Sequence, residues 1–192
     1  MYGLFFEVKP KDGHLKNYLS EVDYLNPILS KYPGLMWIDR FSNLSDKKFL
    51  LSFQIWDSEE SILSWRQDPE HKKAQMKGKK LHFDDYRIRV GKKVVKYERK
   101  KLSYYDETKR TFESKYIVLI NSTKELQGTS FISFKSINRE DAFITMVSTL
   151  DFDGASKLIS NIDTLDATVD ATIYEILRDY SMCDRDQSPN DN

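Results

Sequence analysis

The chain has 192 residues, 40% of them apolar and 13% aromatic, which excludes a disordered polypeptide and allows one ordinary domain or two of about 100 residues. Thirty basic residues balance thirty acidic ones, so no global attraction to nucleic acid is implied. The single cysteine, Cys183, excludes an internal disulfide and any cysteine-rich zinc site.

The balanced charge conceals an asymmetry. Residues 1–100 carry 20 Lys+Arg against 14 Asp+Glu, a net of +6, and residues 101–192 carry 10 against 16, a net of −6. Two modules of opposite charge are expected. No basic leader followed by an apolar run is present, nor any apolar stretch near the roughly 18 residues of a membrane span, so a soluble, cytoplasmic protein with no membrane partner is expected.

In chain order, YGLFFEV (2–8) reads as a buried strand and Lys9–Gly13 as a turn. Leu15, Tyr18, Leu19, Val22, Leu25 and Leu29 recur at helical spacing, with Pro27 predicted to kink or break the helix and Pro33-Gly34 to end it. LMWIDRF (35–41) and KFLLSFQIW (48–56) are strand-like runs joined by a polar connection, which predicts a hairpin. Asp57-Ser-Glu-Glu60 has the form of a capping box opening a helix through Trp65. Asp68-Pro69 then restarts a helix toward Lys80, with Asp68 as cap and Pro69 in the first helical position. FDDYRIRVGKKVVKY (83–97) alternates Tyr86, Ile88 and Val90 against Arg87 and Arg89, a long strand with one polar face.

The order β–α–β–β–α–β is the ferredoxin-like plan, an antiparallel sheet with helices on one face. The fold class expected is therefore α+β, with the bare sheet face covered by a second sheet or a partner. Residues 98–113 are mostly polar and read as a linker. In residues 114–182, KYIVLI (115–120), SFISFKSI (130–137) and AFITMVSTL (142–150) read as strands. Ala155, Leu158, Ile159, Ile162 and Leu165 form a helical stripe, and TIYEIL (172–177) reads as a closing strand. This β–β–β–α–β order is a reduced copy of the first plan. Residues 183–192 are polar and expected to fray. Either the two halves pair as an internal pseudo-dimer or two chains form a homodimer through their first domains.

Three stretches carry a family resemblance: FFEVKPKDGHLKNYL (5–19), LNPILSKYPGLMWIDRFSNLSDKKFLLSFQIWDSEESILSWRQDPEHKKAQ (25–75) and FDDYRIRV (83–90). Over residues 3–97 the chain resembles the antibiotic biosynthesis monooxygenase (ABM) family of dimeric α+β barrels; residues 98–192 resemble the fold plan only. Some members oxidise polycyclic aromatic phenols with molecular oxygen and no metal, flavin or nicotinamide, and others degrade haem. The resemblance implies a small hydrophobic or aromatic ligand, no cofactor and possible cofactor-independent monooxygenase activity, with a non-catalytic ligand-binding or dimerisation module as the alternative.

Trp65 corresponds to the tryptophan that lines the pocket in characterised members, and His71 to a position where some carry a pocket tyrosine. At the N-terminus of a helix the dipole disfavours imidazolium, so His71 is the candidate base or orienting donor. Ser61 stands where oxygenating members carry an asparagine. Gln75, at the position of the haem-degrading histidine, and a first strand without asparagine disfavour haem degradation. Phe6, Tyr24, Trp37, Phe53 and Trp56 are candidates for the pocket wall, although aromatics at such positions are mostly core. His14 reads as solvated and His82 as a core or loop residue. The run HKKAQMKGKK (71–80) reads first as a solvated helix face; an anionic ligand or nucleic acid is the lesser reading. No phosphate loop and no metal-ligand spacing occurs.

Overall fold

The structure is a computed structural model, and it describes residues 1–105, 115–128, 130–162 and 169–189. The first half folds as β1 (Tyr2–Pro10), α1 (Leu15–Leu29), β2 (Leu35–Asn43), β3 (Leu50–Trp56), α2 (Glu59–Gln67), α3 (Pro69–Lys77), a π-helical turn (Gly78–His82) and β4 (Phe83–Glu98). A short strand β5 (Lys101–Tyr104) then turns back on β4, where the polar composition reads as linker. The second half supplies β6 (Lys115–Ser122), β7 (Ile132–Ser136), β8 (Phe143–Thr149), α4 (Phe152–Ser160) and β9 (Val169–Ser181). Leu165, the last residue of the expected helical stripe, lies outside the described residues.

The strands join in the order β1-β3-β2-β7-β8-β6-β9-β4, and β4 pairs with β1, so eight strands close into a barrel with β5 added at the edge of β4. Each half has the same internal order. The first reads β4-β1-β3-β2 and the second β9-β6-β8-β7, so the two sheets meet like with like at β2–β7 and β4–β9. Closure within one chain joins the two halves as an internal pseudo-dimer, one of the two arrangements expected. It also pairs the outer strands of both four-stranded sheets, β2 and β4 with β7 and β9, which antiparallel sheets must otherwise protect.

Strand alternation sorts side chains into three cores. Phe5, Phe41, Phe53, Ile117, Leu119, Phe134, Ile144, Met146 and Tyr174 fill the barrel. Tyr116, Val118, Ile120 and Ile173 point outward under Ala155 and Ile159 of α4. Val8, Tyr18, Leu50, Phe83, Tyr86, Trp56, Ile62, Trp65 and Val90 lie under the helices of the first half. On the face of β4 that the alternation presents as polar, Arg89 is turned away from solvent while Arg87 stays exposed. Arg89 is 4% exposed and donates to Glu7 Oε1 at 2.5 Å and Ser148 Oγ at 3.1 Å. Arg87 makes a forked pair with Asp179 at 2.8 and 2.6 Å.

Two local expectations shift. Pro27 falls in the last turn of α1, where the missing N–H costs one bond just before the helix ends, so α1 runs through it to Leu29. The cap of α2 is Ser58, whose Oγ accepts from Ser61 N, and not Asp57; Asp57 accepts instead from the Ser61 hydroxyl. No described helix is long and apolar enough to cross a membrane.

Candidate active site

The helices α1–α3 do not close tightly on the outer face of the first sheet. A cavity of about 500 Å³ remains between them, in the size range of small-molecule sites. Leu4, Phe6, Gln54, Tyr86 and Ile88 form its sheet floor, and α1, α2, α3 and the π-helical turn form its walls and roof. No side chain of α3 is fully buried; its inner residues His71, Ala74 and Gln75 are half-buried and line the cavity.

Local sequence explains the placement of α3. Asp68 ends α2 and begins α3: its N–H donates to Trp65 O at 3.2 Å, and its Oδ1 accepts from Glu70 N at 2.9 Å and His71 N at 3.0 Å. Oδ2 accepts the Tyr32 hydroxyl at 2.7 Å. Burial opposes the charge on Asp68, but these hydrogen bonds hold its carboxyl below the usual range; the Tyr32 phenol is raised to about 12 by burial and by the same carboxylate. The restart folds the chain so that His71 lies flat on Trp65, ring centroids 4.1 Å apart and 14° from parallel, while Tyr32 meets Trp65 edge-on at 5.0 Å.

His71 Nδ1 lies 2.9 Å from the Trp65 carbonyl oxygen. A carbonyl only accepts, so Nδ1 carries the hydrogen and the neutral ring keeps its lone pair on Nε2. No described residue hydrogen-bonds Nε2. Burial lowers the imidazole pKa to about 4; the Trp65 carbonyl and Asp68 work in the other direction and Arg66 assists. The ring is therefore neutral at physiological pH chiefly through desolvation, where the helix dipole was the expected cause. In this tautomer the other ring nitrogen of His71 is an acceptor and not a donor.

Of the residues singled out from the sequence, Trp65, His71 and Phe6 line the cavity together. Ser61, Tyr24 and Phe53 do not. The Ser61 hydroxyl donates to Asp57 Oδ1 at 2.7 Å and pairs with Ser58 Oγ at 2.9 Å, pressed against Gly34, where an added Cβ would overlap it. Tyr24 is exposed and donates to Glu70 Oε2 at 2.8 Å. Phe53 stacks on Phe5 at 4.8 Å inside the barrel. Register explains this: Phe5 opposes Phe53, whereas Leu4 opposes Gln54 and Phe6 opposes Ser52, so Phe6 and Phe53 face opposite sides of the sheet. Trp37 also turns to the barrel side, where Arg139 lies over its ring. Trp56, fully buried, lies under the helices and donates to Gln54 Oε1 at 2.9 Å.

Gln54, Leu4, Tyr180 and Arg185 line the cavity without having been singled out. Pairing Phe6 with a strand-three partner on its own face would have found Gln54 and Leu4. Nothing local marks Tyr180 and Arg185, because the second half brings them. The polar tail, expected to fray, packs here: Arg185 donates to the Tyr86 hydroxyl and to Ser188 Oγ, both at 2.7 Å, and Arg66 donates to the Tyr180 hydroxyl at 3.2 Å. Gln75 donates to the Arg66 carbonyl at 3.1 Å, tying α3 to α2. His14, expected to be solvated, meets the cavity residue His82 with their Nδ1 atoms 3.0 Å apart. Lys72, Lys79 and Lys80 stand at the rim, while Lys73 and Lys77 pair with Glu70 and Glu21. Among the described residues no group of three or more His, Cys, Asp and Glu is placed to hold a metal ion.

Fold and site define a tandem α+β barrel in which one half holds a helix-roofed, largely apolar pocket. Residues 1–77 match the model of the Antibiotic biosynthesis monooxygenase family. The chain is 25% identical over 210 residues to a protein of Pyricularia oryzae named jasmonate monooxygenase ABM, covering 98% of this chain and 97% of that protein. It is also 25% identical over 89 residues to an uncharacterised protein of Bacillus subtilis, covering 46% of this chain and 75% of that one. A solved structure described as an anthrone oxidase-like protein superposes with a TM-score of 0.43 at 10% identity, covering 98% of this chain and 96% of that chain.

Proposed function

We propose that the cavity is the active site of a cofactor-independent monooxygenase acting on a small hydrophobic or aromatic molecule. One observation carries the reading: a neutral imidazole, its Nδ1–H committed to a backbone carbonyl, presents a single lone pair beside a tryptophan in a pocket sized for a small ligand. His71 is assigned as the base, with Trp65 and Phe6 as substrate-contacting walls. Ser61, Tyr24 and Phe53 lie away from the cavity and take no part.

The chemistry is self-contained for a substrate with an acidic, electron-rich C–H or phenol. His71 Nε2 takes the proton, and the resulting carbanion or phenolate transfers one electron to oxygen. The two radicals combine to a peroxide, and loss of water leaves a carbonyl. In balance, one substrate methylene and one dioxygen become one carbonyl and one water, with all four electrons drawn from the substrate. Burial makes His71 a weak base in the empty pocket; the substrate anion formed beside the imidazolium offsets that penalty. The relative named for jasmonate matches along both halves, which supports a compact alicyclic substrate as well as an aromatic one.

The test is oxygen uptake in metal-free buffer with a panel of anthrones and hydroquinones, with one carbonyl formed per oxygen consumed and no added reductant. His71→Ala is expected to lower the rate by about 100- to 10,000-fold, the usual contribution of a positioned base. No uptake with any member, or uptake unchanged in the variant, sinks the assignment. The alternative, a ligand-binding module without turnover, is favoured by one feature: the Ser61 hydroxyl is committed to Asp57 and Ser58 and gives the cavity no donor.

A further inference from the structure

Gln54 is a carboxamide set in the sheet floor of the cavity, where its register neighbours are Leu4 on β1 and Ile38 on β2. It is 8% exposed. The Trp56 indole N–H can only donate, and it lies 2.9 Å from Gln54 Oε1. That oxygen is therefore the acceptor, and Nε2 carries both amide hydrogens. Trp56 is fully buried, which fixes the orientation of the amide. One of the two hydrogens reaches Ser52 Oγ at 3.3 Å, a long hydrogen bond. No described residue accepts the other.

A buried N–H without an acceptor is costly, and an oxygen atom placed against it recovers that cost. Gln54 borders the cavity, so the oxygen that can reach it belongs to a ligand. Packing ties this donor to the assigned base. Trp56, which orients Gln54, shares a buried cluster with Trp65, and His71 is stacked on Trp65 at 4.1 Å. We propose that Gln54 is the donor that holds the substrate's oxygen: its second Nε2–H bonds the carbonyl or phenol oxygen on which negative charge gathers when His71 takes the proton. Trp56 is then a positioning residue. With its indole in place the amide meets that charge with no reorientation. Without the indole the amide is free to turn and present Oε1, which repels the same charge. The sheet floor thereby supplies the donor that Ser61, committed to Asp57 and Ser58, does not. This rests on the reading of the cavity as the active site.

The probe is 9-fluorenone, a neutral aromatic ketone, bound to the full chain near neutral pH. The infrared stretching band of its carbonyl reports a hydrogen bond to the oxygen directly and needs no turnover. In the wild type that band is expected below its position in a dry hydrocarbon solvent. Gln54→Met keeps the side-chain length and removes the donor. It should return the band to the hydrocarbon position and weaken binding by about threefold to tenfold, the worth of one neutral hydrogen bond. Trp56→Phe should spread the band between the two positions. Tyr86→Phe, which removes another hydroxyl of the cavity wall, should leave the band where it is. With a substrate that turns over, Gln54→Met should lower kcat by about 100- to 1,000-fold, as for the loss of one oxyanion donor. A wild-type band at the hydrocarbon position, or a shifted band that survives Gln54→Met, overturns the inference. A shift that depends on Gln54, in a protein that turns over no substrate, supports the donor and counts against the reaction proposed above. Absence of fluorenone binding overturns the ligand-site reading and this inference with it.

Discussion

Trp65 and His71 show how the protonation of a covered ring is set by its neighbours. Trp65, 4% exposed, is a core residue by burial, yet its carbonyl selects the His71 tautomer and its ring covers one imidazole face. Two outcomes follow at this scale. A pH titration of the His71 ring protons by NMR should show a midpoint near 4, well below the ordinary histidine value; a midpoint near 6.5 would contradict the desolvation argument. Because the folded state disfavours the imidazolium, stability linked to His71 is complete above about pH 6.5 and declines as pH falls from there toward 4. In His71→Gln that slope should vanish from the pH dependence of the denaturation midpoint.

At the scale of elements, α3 is held by its ends more than by its face. It fully buries no side chain and, besides the stack of His71 on Trp65, relies on the Asp68 cap, the tie from Gln75 to Arg66 O and the ion pair of Lys77 with Glu21. Asp68→Ala removes three accepted hydrogen bonds, from Glu70 N, His71 N and the Tyr32 hydroxyl. A cost of about 0.5–2 kcal/mol is expected from the cap alone. The loss should be local: hydrogen exchange should speed up in α3 and the π-helical turn and leave the barrel strands unchanged. Uniform acceleration throughout the chain would show that α3 is part of the global folding unit.

For the whole molecule, closure within one chain predicts a monomer. Light scattering should give a mass near 22.6 kDa that does not rise with concentration; a dimer mass would mean that closure leaves another interface unsatisfied. The β2–β7 joint is secured by Asp39, 5% exposed, which accepts from Ser136 Oγ, Asn138 Nδ2 and both Arg139 Nε and Nη2. Burial opposes its charge, but those donors keep the carboxyl ionised below the usual range, so its contribution is full above about pH 4 and is lost as pH falls through the folded value. Asp39→Ala should cost on the order of 3 kcal/mol, as for a buried charge-assisted network deprived of its acceptor. A denaturation midpoint equal to wild type would show that the joint is held by strand pairing alone.

Local signals sufficed for the order of elements, because strand alternation, helical spacing and capping chemistry act over a few residues. The restart at Asp68-Pro69 is legible for that reason, and with it the meeting of Trp65 and His71. Which side of a strand faces what was not legible. A one-residue change of register reverses every side chain, and register is set by pairing with segments far along the chain. Phe53, with the look of a pocket aromatic, fills the barrel, and Gln54 beside it faces the cavity. Arg89, with the look of a solvated strand face, is buried against Glu7 and Ser148. The polar tail reads as frayed because its residues are polar; within it Arg185 and Ser188 are bonded to Tyr86 and Arg66, 99 and 122 positions earlier. The sequence by itself determined two ferredoxin-like repeats and a histidine beside a tryptophan. Only the tertiary structure decided that the repeats close one barrel, that His71 lines a cavity as a neutral ring, and that the second half completes that cavity, since each depends on contacts no local segment encodes.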